Sequence, residues 1–309
     1  MQTYTIKVPA TSANLGSGFD TLGMALDLYN TIEITPLDGY GHLDFTVLGL
    51  GADSGMDNPD NLIYQAYCYP FFKKNLPVPS IKIIAHNTIP FARGLGSSSA
   101  AIVSGLLASQ VVSNFSYTMD ELILLATELD HHPDNVAPAL LGGIVISRYL
   151  EDGVVTKKIN PPKALKTLAI IPDYELSTKK AREVLPLSYE KDKVIANLGA
   201  ISFLIAGLIT EDLSLLRQGL KDTLHEPYRQ VLIKELLPLR VESEKLGAYG
   251  TIISGAGSTL LVFYDENFFL EDFKKYCQNT FKNAIVVDVH PIQTGAQIFK
   301  DESELKICP

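Results

Sequence analysis

The stretch Pro90-Phe-Ala-Arg93-Gly94-Leu95-Gly96-Ser97-Ser98-Ser99-Ala100 sets two glycines and three serines between an extended apolar run, Ile81 to Ile89, and a run that reads as helix, Ala100 to Val112. A loop feeding a helix N-terminus leaves about four backbone N–H groups without intrahelical partners at the positive end of the helix dipole, a natural seat for phosphate. Glycine lets the backbone come close to an anion, and serine hydroxyls suit phosphate oxygens or a magnesium ion. The same residues also suit a plain turn with Ser97 as N-cap. Gly96 is followed by Ser97 where a Walker A loop needs lysine, and the third glycine of a dinucleotide fingerprint is absent. Any phosphate loop here is of another kind.

The elements that must position this loop follow from the pattern on either side of it. Tyr4, Ile6 and Val8 alternate with polar residues as in a half-buried strand, and a glycine-rich loop, Pro9 to Asp20, comes next. Further strands are predicted at 30–35, 43–48, 81–85, 144–150, 154–159, 167–171, 250–253, 259–264 and 285–289. Helices are predicted over 62–74, 98–113, 119–129, 177–184, 191–209, 213–224, 228–245 and 267–279, and 131–143 reads as irregular. The apolar run Val194 to Ile209 is shorter than a bilayer span and reads as a buried helix, with no membrane association. Asn160-Pro161-Pro162 marks a boundary between two α+β halves, 1–160 and 161–309.

Composition narrows the function. A chain of 309 residues with a net charge of -9 lacks the basic face that nucleic acid demands, so an anionic ligand must be held by a local positive group, a helix end or a metal ion. Three widely spaced cysteines, Cys68, Cys277 and Cys308, and an N-terminus without a signal-peptide pattern predict a cytoplasmic protein.

In its full form, Pro-x-x-x-Gly-Leu-Gly-Ser-Ser-Ser-Ala, the loop resembles the second motif of the galactokinase, homoserine kinase, mevalonate kinase and phosphomevalonate kinase (GHMP) superfamily. Val8-Pro9-Ala10-Thr11-Ser12-Ala13-Asn14-Leu15-Gly16-Ser17-Gly18-Phe19-Asp20 resembles the first motif. Ser254-Gly255-Ala256-Gly257-Ser258-Thr259 resembles the third, with Ser258 where the family usually has proline. His132-Pro133-Asp134-Asn135-Val136-Ala137-Pro138 is similar, within the superfamily, to homoserine kinases.

The resemblance implies a two-domain GHMP fold, a ribosomal-protein-S5-like N-terminal domain and a ferredoxin-like α/β-plait C-terminal domain. It implies ATP-dependent phosphorylation of the side-chain hydroxyl of L-homoserine, in threonine biosynthesis, and leaves a homodimer open. Pro90, Arg93, Gly94, Leu95, Gly96, Ser97, Ser98, Ser99 and Ala100 would wrap the ATP phosphates, with Asn61 at a helix start beside the base. Ser98 and an acid, Glu128 with Asp130 as its rival, would hold Mg2+. Asn14 and Asp20 would meet the ammonium and hydroxyl end of the substrate. Arg182 and Arg229 would clamp its carboxylate, which planar guanidinium groups suit, and His132, Thr178 and Gly257 would join the same pocket. Asn135 stands near the point where mevalonate and galactose kinases carry a carboxylate. An amide can hold a hydroxyl but is no general base, so catalysis would rest on positioning and phosphate neutralisation, with Asp134 structural. The alternatives are a GHMP kinase for another alcohol, such as mevalonate, and a non-catalytic ligand sensor.

Overall fold

A computed structural model of the chain describes residues 2–113 and 115–308. Two antiparallel-rich sheets carry the helices. Among the described residues the first sheet has eight strands. It is built on β1 (Tyr4–Ala13) and β2 (Leu22–Tyr40), with β3 (Leu43–Gly49), β4 (Pro79–Asn87), β5 (Ile144–Leu150) and β6 (Gly153–Ile159) around them. β3 and β4 pair in parallel, with α1 (Leu62–Lys73) as the crossover that parallel pairing requires. β1 continues through what reads as loop: its register with β2 shifts between Pro9 and Ala10, and this irregularity lets pairing run on to Ala13.

Behind this sheet lie α2 (Ser97–Ser113), α3 (Met119–Asp130) and α4 (Pro133–Leu141). The small residues of α2 bring it close to α1. A Cβ on Gly105 would come 2.1 Å from the Ile63 carbonyl oxygen, a contact only glycine avoids. α3 begins in a capping box, with the Thr118 hydroxyl accepting from the Glu121 amide at 3.2 Å and Glu121 accepting from the Thr118 amide at 2.7 Å. α4 corrects the irregular reading of 131–143. Pro133 occupies its first turn, where no N–H is needed, and Pro138 interrupts only one backbone bond within it.

The second sheet has four strands, in the order β10 (Ile285–Asp288), β7 (Lys166–Ile171), β9 (Leu260–Tyr264), β8 (Gly250–Ile253). Its strands β7, β9 and β8 are buried on both faces, and the edge strand β10 is partly exposed. Along β9, Leu260, Val262 and Tyr264 join a smaller core, while Leu261 and Phe263 join the large core beneath the first sheet. Its helices are α5 (Thr178–Glu183), α6 (Lys191–Thr210), α7 (Leu216–Gly219), α8 (Glu226–Arg229), α9 (Leu236–Lys245) and α10 (Leu270–Thr280).

Three expectations change here. The helices read at 213–224 and 228–245 are broken into short pieces, α7, α8 and α9 with intervening 3-10 turns. α6 is not a buried helix. By length and composition it could cross a membrane, yet only one stripe, including Asn197, Leu204 and Leu208, is buried, and Val194, Ile195, Leu198, Phe203 and Ile209 are exposed. Hydrogen bonds tie that stripe into the fold: Asn197 donates to the Ser17 carbonyl at 2.9 Å and accepts from the Thr223 amide at 3.2 Å. Finally, the division at 160 separates the two sheets but not the chain's last strands. β11 (Gln297–Lys300) pairs with β1, and β12 (Ser303–Leu305) with β11, so the end of the chain returns to the first sheet.

Candidate active site

The chain leaves β4 and enters α2 through Pro90 to Gly96, and this loop walls a cavity of about 600 Å³. Pro90, Arg93, Gly94, Leu95, Gly96, Ser97 and Ser98 line it on one side, Asn61 at the start of α1 on another, and Asn135, Thr178 and Gly257 complete it. The first bond into α2 runs from the Ala100 amide to the Gly96 carbonyl (2.9 Å), so the amides of Ser97 and Ser98 precede the helical ladder. Two residues expected here turn away. Ser99 is buried toward α3 and Ala100 is in the core, because a helix rotates successive side chains by about 100° and these two fall on its packed face. Asn61 is occupied at both ends, capping the Ile63 amide (2.9 Å) and donating to the Met56 carbonyl (2.8 Å).

A residue that sequence reading did not single out joins loop and centre. Thr11, fully buried on β1, donates through its hydroxyl to Asn135 Oδ1 at 2.8 Å, and its amide donates to the Leu95 carbonyl at 3.1 Å. Gly96, at φ 69°, must be glycine because a Cβ would come 1.9 Å from that hydroxyl. The position of Thr11 inside the first motif is the only signal the sequence offers. Asn135 sits on the first turn of α4 with its side chain at the cavity, while Asp134, one position earlier, is buried. Burial, reinforced by Asp20 and Asp130, pushes the Asp134 carboxyl up to about 7.

The two acids of α3 part company. Glu128 accepts from the Tyr69 hydroxyl (2.9 Å) and from Lys73 Nζ (2.8 and 2.6 Å), so it ties α3 to α1 instead of facing the phosphate loop. Asp130 is the last residue of α3, and His131 closes the helix in the left-handed region at φ 68°. This turn brings Asp130 to the α2 N-terminus, where it accepts from the Ser99 hydroxyl at 2.8 Å. Burial raises its carboxyl to about 6 against the opposing pull of Ser99, His131 and Ser98. Of the two acids, Asp130 is the one that hydrogen-bonds at the N-terminus of α2.

The residues expected to meet the substrate form a second cluster, joined to the cavity through Gly255. The Gly255 carbonyl accepts from Asn14 Nδ2 (2.9 Å) and from Arg229 Nη1 (3.0 Å). Asn14 also accepts from the Asp20 amide (2.8 Å), so it binds the first motif to the third rather than presenting a free amide. Arg182 and Asp20 form a two-bonded pair at 2.7 and 3.2 Å. Arg182 Nε is buried without an acceptor among the described residues. Arg229 is almost wholly buried, and Nε donates to the Ala181 carbonyl (3.1 Å). His132, half-buried beside this pair, has its pKa lowered by burial first and then by Arg182.

Comparison with known proteins agrees with the motif order. The GHMP kinases N terminal domain model matches residues 61–143, and the GHMP kinases C terminal model matches 204–279. A homoserine kinase of Carboxydothermus hydrogenoformans is 38% identical over 295 residues, covering 94% of this chain and 95% of that protein. A homoserine kinase of Clostridium acetobutylicum is 37% identical over 296 residues, covering 95% and 99%. The crystal structure of homoserine kinase from Cytophaga hutchinsonii superposes with a TM-score of 0.86 at 27% identity, over 97% of this chain and 98% of that one. With both GHMP kinase domain models matched and homoserine kinases aligned over nearly its whole length, the chain belongs to the homoserine kinase family of the GHMP kinases.

Proposed function

We infer that the protein transfers the γ-phosphoryl group of ATP to the side-chain hydroxyl of L-homoserine, giving O-phospho-L-homoserine and ADP, a step of threonine biosynthesis. The observation that supports this substrate is a cluster of two guanidinium groups, Arg182 paired with Asp20 and Arg229 bonded to the Gly255 carbonyl, joined through Gly255 to the cavity that Asn135 lines. A zwitterion bearing a hydroxyl matches that set: arginines for the carboxylate, Asp20 for the ammonium, Asn135 for the hydroxyl. For ammonium and carboxylate to enter, the Asp20–Arg182 pair must exchange its internal partners for those of the substrate.

The amides of Ser97 and Ser98 and the positive end of α2 take the phosphates. The Ser98 hydroxyl and the Asp130 carboxylate, hard oxygen donors at this helix end, fit Mg2+ and would hold it there, where it supplies neutralisation of triphosphate charge. Thr11 fixes the Asn135 amide, leaving Nδ2 to hold the homoserine oxygen in line. That oxygen forms the new bond to the γ-phosphorus as the bond to the β-bridging oxygen breaks, and the hydroxyl proton passes to solvent. Positioning and electrostatics carry the rate, since Asn135 cannot accept a proton. Cys68, Cys277 and Cys308 are all free thiols, which fits the reducing cytoplasm.

ADP release with homoserine, mevalonate, galactose and no acceptor tests the reading. Turnover is expected with homoserine alone. Turnover with another acceptor would overturn the substrate, and none with any acceptor would favour a ligand sensor.

A further inference from the structure

Phe19 sits in the first motif between Gly18 and Asp20, partly buried. Its ring stacks on His225, with centroids 5.0 Å apart and planes inclined by 22°. Both arginines lie against the same ring: Arg229 Cζ is 5.3 Å and Arg182 Cζ 5.8 Å from its centroid. One aromatic side chain thus touches both guanidinium groups and the imidazole beside them.

His225 is fully buried, and its neighbours assign its tautomer. Arg229 Nη1, which can only donate, lies 3.2 Å from Nδ1, while the Gly16 carbonyl, which can only accept, lies 3.3 Å from Nε2. A neutral imidazole with its proton on Nε2 satisfies both. Burial, then the charge of Arg229, pushes the ring's pKa down to about 3, so it stays neutral across the physiological range. Its backbone is anchored too: Asp222 Oδ2 accepts from the amides of Leu224, His225 and Glu226 at 3.1, 2.7 and 2.8 Å.

Two like charges held side by side repel, and among the described residues Asp20 pairs directly with only Arg182. An aromatic face offers both of them negative quadrupole charge without competing for the donors that a carboxylate needs. We propose that Phe19 is a positioning residue for the substrate: a shared platform, braced by His225, that holds Arg182 and Arg229 in a common orientation toward the homoserine carboxylate. The proposal rests on the reading of these arginines as the carboxylate clamp.

The test compares Phe19→Leu and Phe19→Tyr in steady-state assays with L-homoserine and with L-homoserinamide, whose carboxylate is replaced by a neutral amide. Phe19→Leu is expected to raise the homoserine KM about tenfold and to narrow the preference over the amide by the same factor, with the ATP KM unmoved. Phe19→Tyr, which keeps the ring, is expected to restore both. Phe19→Met, close in volume but without a π face, repeats the test if the leucine variant does not fold. If Arg182→Ala erases the preference while Phe19→Leu leaves it intact, the clamp stands and the platform is overturned. If Arg182→Ala also leaves the preference intact, the clamp reading itself fails and the proposal falls with it.

Discussion

Asp130 and Glu128 lie two residues apart at the end of α3, and their side chains leave the helix in different directions. Glu128 faces Tyr69 and Lys73 on α1, and Asp130 faces Ser99 on α2. The difference predicts opposite outcomes for two similar substitutions. Asp130→Asn is expected to lower kcat by more than about 100-fold and to raise the Mg2+ requirement, since an amide is a poor ligand for a hard cation. Glu128→Gln is expected to stay within about threefold of wild type, losing a partly exposed ion pair. Titration of turnover with Mg2+ separates them, and the reverse ranking would return the metal to Glu128. Thr11 works at the same scale: beyond its place in the first motif a threonine on a strand carries no signature, yet its hydroxyl orients the Asn135 amide.

At the scale of elements, α6 shows how composition can mislead. From Val194 onward its sequence is mostly apolar, but the fold buries one stripe of it. Leu204→Ala, at a site 1% exposed, is expected to cost about 3 kcal/mol in urea unfolding, whereas Leu198→Lys, at 61%, is expected to cost less than about 0.5 kcal/mol. Equal costs would mean that both faces are covered. α8 makes a different tie. Glu226 is buried, accepts from Arg240 Nη2 at 2.5 Å and from the Ile253 amide at 2.7 Å, and so joins α8 to α9 and β8. Burial raises its carboxyl to about 7, so the stability it contributes is present below the ordinary carboxylate range and lost as pH rises through about 7. Arg240→Ala leaves that charge unpaired. It is expected to cost about 3 kcal/mol at pH 8 and distinctly less at pH 5, where Glu226 is protonated. A cost independent of pH would contradict this account.

Across the whole molecule, the site depends on segments far apart in the chain. β1 carries Thr11 in the middle of the first sheet, and its outer partner is β11, from the far end of the sequence. Removing residues 297–309 strips both closing strands and exposes that edge of β1. A lowering of the thermal midpoint by roughly 10 °C and loss of homoserine-dependent turnover are expected, and an unchanged midpoint would show β11 and β12 to be dispensable. What the sequence determined by itself was local or contiguous: the apolar alternation of Tyr4 to Val8, the glycine-serine loop before α2, and each of the three motifs. Those follow from backbone propensity and motif spacing, which neighbouring residues carry. Other features were decided only in three dimensions. Pro133 and Pro138 suggested irregular chain until packing made α4 of it. That Asp130, and not Glu128, reaches the N-terminus of α2 goes with a left-handed residue at His131. The contacts of Phe19 with His225, Arg182 and Arg229 join positions more than one hundred and fifty residues apart. Such contacts arise when separate elements pack, so no local pattern in the chain specifies them.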